Sequence, residues 1–245
     1  MIDRTELYDK ALIIRQKIGE DFESPIDLFK IVQTIKNLTL VRFDMGDNIS
    51  GLCIKSEKSA VIAVNTNCSK GRQNFTLAHE LYHYYFSDEL TTTICSFSNL
   101  KNEEEKKADI FASYLLLTGI ALRKRFTDWD NRQERLHKII ETEQMYGLSH
   151  QALLIRLIQD GYLKEADKEK YEKNIIQKAE SMGYEKTLYE KTNTTGTYGY
   201  YIEKVNELYK KQMISEDKKD EFLFDCMRED LIDGVKEESI EYIVD

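Results

Sequence analysis

Apolar positions first recur at helical spacing. Leu7, Ala11 and Ile14 mark one side of a helix expected over residues 5–17. Ser24-Pro25 reads as a helix start, because serine can cap and proline suits the first turn. Behind it Leu28, Ile31, Val32 and Ile35 fall at i, i+3, i+4 and i+7, a single buried stripe. The pattern then changes. Residues 38–43 are rich in Leu, Thr and Val and predict a strand, followed by two shorter strands at 51–55 and 59–65 joined by a tight turn. Helical spacing returns over 72–87 and over about 103–117, where Ala108, Phe111, Ala112, Leu115 and Leu116 stay in register. From Asn131 onward the pattern is almost wholly helical, with two stretches meeting at Tyr146-Gly147-Leu148-Ser149 in the manner of a helix-turn-helix. Residues 193–199 read as a Thr/Gly loop, and 201–209 with 217–228 as a final helical pair.

This order of elements predicts an α+β fold: a small mixed sheet packed with helices, then a mostly helical C-terminal region. Residues 164–191 carry 7 lysines and 7 acids, which places a boundary there. The expected organisation is a domain over 1–163 that includes the helical hairpin, a charged linker or helix over 164–192, and an acidic helical region over 193–245. Hydrophobic residues make up 41 % of the chain, enough for a packed core, so general disorder is excluded. No apolar run approaches the roughly 18 residues of a membrane-spanning helix. The start, MIDRTELYDK, lacks the apolar run of a secretory signal. The cysteines Cys53, Cys68, Cys95 and Cys226 are scattered and form no CxxC pair, which suits a reduced cytoplasmic protein. The net charge of −9 argues against general nucleic-acid binding. Most of it is C-terminal, since residues 216–245 hold 12 acids and 4 bases and present a solvated acidic surface. Oligomeric state is not legible.

The chemistry concentrates in His79-Glu80-Leu81-Tyr82-His83, an HExxH pattern on a predicted helix. Residues four apart share a helix face, so two imidazoles can hold one zinc ion. Glu80, beside the first of them, can reach a metal-bound water whose pKa the zinc lowers to about 7. Four histidines in the chain make a chance match rare, about 0.01 expected occurrences. A catalytic zinc needs a third protein ligand and an open position. His137, His150 and the downstream carboxylates are the candidates. Among them Glu105 and Asp109 stand out, four apart on one predicted helix, a spacing that suits a ligand with a supporting carboxylate for a histidine ring. Ala108 and Ala112 are small enough to let that helix approach the HExxH helix.

These blocks resemble the ImmA/IrrE family of metallopeptidases. Arg72-Gln73-Asn74-Phe75-Thr76-Leu77-Ala78-His79-Glu80 is similar to its Arg-x-x-Phe-Thr-x-Ala-His-Glu block. Glu105-x-x-Ala108-Asp109-x-Phe111-Ala112-x-x-Leu115-Leu116 is similar to its second block. The resemblance implies zinc held by His79, His83 and Glu105 on zincin-type helices, with Glu80 as catalytic acid and base. It also implies a substrate, a helix-turn-helix repressor-type protein of a mobile element, phage or stress system. The alternative is a zinc-containing binding module that sequesters such a partner without cutting it. Tyr82 departs from the family pattern, where glycine is frequent, and so does Leu117-Thr118, where Met-Pro is usual.

Three further features carry weaker expectations. As an exposed edge strand, residues 60–65 could pair with an extended substrate through main-chain hydrogen bonds; a plain structural strand is the alternative. The hairpin over 134–163 has three bases against four acids, so packing or protein docking is expected there rather than DNA reading. Tyr82, Tyr84, Tyr85 and Phe86 read as core and cleft lining.

Overall fold

A computed structural model describes residues 2–87, 92–96, 102–127, 129 and 134–232. Helices α1 (Arg4–Lys17) and α2 (Leu28–Val32) precede strands β1 (Leu38–Phe43), β2 (Ile49–Lys55) and β3 (Ala60–Asn65). Helix α3 (Lys70–Phe86), strand β4 (Thr92–Ser96) and helices α4 (Glu103–Leu116) and α5 (Gly119–Arg125) follow. Next come α6 (Arg135–Tyr146), α7 (His150–Gln159), α8 (Lys168–Glu172) and α9 (Ile175–Ser181). Strand β5 (Gly196–Gly199) and helices α10 (Tyr200–Lys210) and α11 (Glu216–Asp225) complete the order. This is the expected α+β architecture. The starting residue of the helical run, Asn131, and residues 233–245 of the acidic tail lie outside the described residues.

Among the described residues the strands form one sheet in the order β4-β2-β3-β1-β5. The tight turn predicted between β2 and β3 is closed by the Ser56 N–H donating to the Ser59 carbonyl at 2.9 Å. β3 pairs antiparallel with β2 and parallel with β1, so it lies inside the sheet. Residues 60–65 are therefore the plain structural strand and not an exposed edge. The physical reason is visible in Ala60-Val61-Ile62-Ala63-Val64, a nearly continuous apolar run suited to a strand covered on both faces. The edges are β4 and β5, two short strands with little apolar character. β5 falls inside the segment expected to be a Thr/Gly loop and pairs with β1 from Thr39↔Gly199 to Arg42↔Gly196.

One helix start also moves. Asp27, not Ser24, caps α2, its side chain accepting from the Lys30 N–H. Ser24 instead donates its hydroxyl to Asp21 at 2.6 Å and closes a local turn. α2 ends at Val32, so Leu28 and Val32 are buried while Ile31 and Ile35 are only half-buried.

α3 lies across the sheet and packs against α4, whose Ala108 and Ala112 are fully buried and admit the close approach. α1 packs on α4 through Leu7, Ala11 and Ile14. The fully buried Arg15 locks the two together. Its guanidinium donates to the carbonyls of Leu115 (2.8 Å) and Leu116 (3.1 Å), the unpaired end of α4. It also donates to Asp21 (2.7 Å) and Ser24 (3.0 Å).

The hairpin of α6 and α7 turns at Gly147, whose left-handed backbone (φ 65°) suits glycine. Ser149 caps α7. The turn rests on α3, with Asn74 Nδ2 donating to the Gly147 carbonyl at 2.8 Å. The charged stretch after α7 also returns to the first part of the chain. The Lys70 N–H donates to Glu190 O at 2.8 Å, and Tyr189 Oη donates to the buried carboxylate of Glu143 at 2.9 Å.

Candidate metal centre

α3 turns its His79 and His83 side chains inward, one turn apart, with their Nε2 atoms 3.2 Å from each other. Both rings are buried. The first turn of α4, capped by the Asn102 side chain, brings Glu105 to them. Its Oε2 lies 3.3 Å from His79 Nε2 and its Oε1 3.3 Å from His83 Nε2. β4 adds a residue that the sequence reading passed over, Cys95, with Sγ 3.3 Å from His79 Nε2. The four donor atoms all lie within 4.8 Å of one another. His137 and His150 are elsewhere. His137 faces Tyr184, and His150 bonds through Nδ1 to Glu143 at 2.5 Å.

The supporting contacts fix how the donors point. Asp109, one turn along α4 from Glu105, has Oδ1 2.8 Å from His79 Nδ1. An Nδ1–H donated to that carboxylate leaves the Nε2 lone pair facing the cluster. His83 Nδ1 lies 3.0 Å from Ser87 Oγ at the end of α3, a partner that spacing alone did not reveal.

Three tests bear on whether these residues fit a cation. Two imidazole nitrogens and a carboxylate crowd a single point, an arrangement that mutual repulsion of lone pairs opposes unless a cation or proton sits between them. The three His–Glu and His–His separations are 3.2 to 3.3 Å. Donors arranged tetrahedrally at about 2.0–2.1 Å from zinc are spaced by about 3.3–3.4 Å. Finally, the donor set of imidazole, carboxylate and thiol is one that zinc accepts. The residues fit.

Electrostatics agree with a site built for positive charge. Burial opposes a charge on His79, but hydrogen bonding to Asp109 and Glu105, with the charge of Glu80, outweighs it and lifts its pKa to about 10. Burial also works against the Glu105 carboxylate, yet its bonds to His79 and His83 pull it far below the usual range. A cation would take the place of that proton, since a ligating histidine must be neutral.

Glu80 is fully buried, and neither carboxylate oxygen has a hydrogen-bond partner. Burial pushes its pKa up, while the charges of His79 and His83 draw it back. Gly51 of β2 makes its position possible, because a Cβ there would stand 2.9 Å from Glu80 Oε1. The neighbouring aromatic residues divide. Tyr82 is core, packed on Phe86 and Phe111 with its hydroxyl donating to Glu104 at 3.2 Å. Tyr84 and Tyr85 meet edge to face and help line a shallow surface cavity with Lys17 and Lys55. A larger cavity of about 480 Å³ shares Asp109 with the centre and runs along Phe75, Ile110 and Ile155.

A small mixed sheet backing an HExxH helix, with a carboxylate from a second helix completing the cluster, defines a metallopeptidase-type domain. Residues 36–158 match the Peptidase_M78 family, described as the IrrE N-terminal-like domain, and the chain belongs to that family. No curated protein matches it. Among the described residues no helix is long and apolar enough to cross a membrane.

Proposed function

We propose that this protein is a zinc-dependent endopeptidase that cuts a helix-turn-helix repressor-type regulator in the cytoplasm. The observation that carries the catalytic part is the convergence of His79, His83 and Glu105 on one point beside the unpaired carboxylate of Glu80. His79 Nε2, His83 Nε2 and a Glu105 oxygen would hold the ion. When bound, zinc supplies a Lewis acid that acidifies the attacking water and polarises the scissile carbonyl.

Glu80 takes a proton from that water on a carboxylate oxygen and returns it to the leaving amine nitrogen. Its burial supports this role, because desolvation raises the affinity of the carboxylate for a proton. Asp109 accepts the His79 Nδ1–H and keeps the ring turned toward the ion. The repressor substrate is supported by the resemblance of the His79 and Glu105 blocks to ImmA/IrrE peptidases. The reduced compartment is supported by Cys53, Cys68, Cys95 and Cys226, all free thiols.

Glu80→Gln tests the reading. It should keep zinc and lose cleavage, so new protein N-termini in cells expressing wild type should vanish with the variant. A cut in a helix-turn-helix protein made by wild type alone supports both enzyme and substrate. Full biological effect from Glu80→Gln would instead identify a binding module that sequesters its partner.

A further inference from the structure

Three ligands and an open position are enough for a catalytic zinc, yet this cluster has four donors. The fourth, Cys95, is buried at 3 % exposure on the edge strand β4. Its register partner on β2 is Gly51, the residue that also makes room for Glu80. Its carbonyl accepts from Ser50 Oγ at 3.1 Å, which fixes the strand at that point. Sγ then lies 3.3 Å from His79 Nε2 and within 4.8 Å of the His83 and Glu105 donors. The fourth vertex of a tetrahedron about zinc, with a sulfur arm of about 2.3 Å, falls about 3.5 Å from each nitrogen or oxygen donor. The fully buried Glu80, whose two carboxylate oxygens are unpartnered among the described residues, adjoins this thiol.

We propose that Cys95 Sγ is the fourth protein ligand of the metal, filling the position that hydrolysis needs open. The inference rests on the zinc reading given above. Forming the sulfur–metal bond releases the thiol proton, and the departing thiolate takes one back. With sulfur bound, the site is closed in the manner of a structural zinc site, and the peptidase is latent. The device is reversible because β4 is held weakly. It is five residues long, pairs with β2 on one side only, and its ladder shifts register between Ile49 and Gly51. Displacing this strand disturbs less of the sheet than displacing any strand between two others.

The test is X-ray absorption at the zinc edge of the full-length, zinc-loaded protein. Wild type should show one sulfur at about 2.3 Å beside nitrogen and oxygen donors at about 2.0–2.1 Å. Cys95→Ser should retain zinc and lose the sulfur. With cobalt in place of zinc, the same substitution should abolish the sulfur-to-cobalt charge-transfer band. Zinc held by nitrogen and oxygen alone in wild type overturns the inference and leaves the zinc reading standing. A sulfur that persists in Cys95→Ser also overturns it. Wild type that retains no zinc overturns the zinc reading itself, and this inference with it.

Discussion

Gly51→Ala is the sharpest probe of how the sheet positions the Glu80 carboxylate. The Cβ it adds would stand 2.5 Å from Thr76 Cγ2, 2.9 Å from the Ala63 carbonyl oxygen and 2.9 Å from Glu80 Oε1. Ordinary Cβ contacts begin near 3.4 Å, so Thr76 must retreat by about 1 Å in an interior packed without slack. Ala63 O is backbone of a central strand and cannot give. Thr76 and Glu80 are four apart on one face of α3, so the helix itself has to lift. Gly51 has an ordinary backbone conformation, which means the penalty is close approach and not strain. Overpacking of this kind costs about 1–3 kcal/mol. For a chain of this size that corresponds to a fall in Tm of roughly 2–12 °C. If α3 lifts by the roughly 1 Å that Thr76 requires, the proposed turnover should fall by about 100-fold. The assay is thermal unfolding followed by circular dichroism at a fixed zinc concentration, with Gly119→Ala as control. A Cβ at Gly119 meets nothing nearer than 3.6 Å, so that variant should be neutral or up to about 1 kcal/mol more stable. If Gly51→Ala melts with wild type, α3 does not rest on β2 as described and the argument for Glu80 fails with it.

Four other substitutions separate metal binding from folding. Glu105→Ala should sharply lower the zinc content, and Asp109→Ala should weaken zinc about 10–100-fold by freeing the His79 ring; chelator competition reads both, and wild-type affinity in either removes that residue from the centre. Arg15→Met orphans the buried carbonyls of Leu115 and Leu116, a loss of about 2–6 kcal/mol at about 1–3 kcal/mol each; a urea midpoint that reports under about 1 kcal/mol contradicts the lock between α1 and α4. Lys70, half-buried near Arg42 and only partly compensated by Asp27, has its pKa lowered by desolvation from 10.5 to about 8. Between those values the unfolded chain binds more protons than the folded one, so wild-type stability gains with rising pH. The stability of Lys70→Met relative to wild type should therefore fall between about pH 7 and pH 10, and a constant difference would exclude Lys70 as the cause.

What could be read from the sequence follows from where the information resides. β1, β2, β3, α3 and α4 announce themselves because each carries its own apolar pattern, and HExxH places two donors by helix geometry alone. Glu105 is also legible, since its partner Asp109 recurs one turn later on the same predicted helix. β4 and β5 are not. Thr-Thr-Ile-Cys-Ser and Gly-Thr-Tyr-Gly have no burial pattern of their own, and they are strands only because β2 and β1 offer open edges to pair with. The open choice for residues 60–65 between an edge strand and an interior one has the same origin. A run of apolar residues marks a strand, but whether it lies at an edge depends on which distant segments arrive beside it.

Arg15 shows the limit in a different way. It follows Ile14 on a helix whose apolar positions were identified correctly, and a charge there suggests a solvated edge of that face. The structure buries it completely, because the end of α4 presents carbonyls that no local sequence signal reports. Cys95 combines both difficulties, being a lone thiol on a strand that exists through pairing alone. The residues that complete a site from a neighbouring element are therefore the ones that pattern reading loses. At this centre they bear on different properties: Glu105 on whether a metal binds, Gly51 on where Glu80 stands, and Cys95 on whether the last position is open.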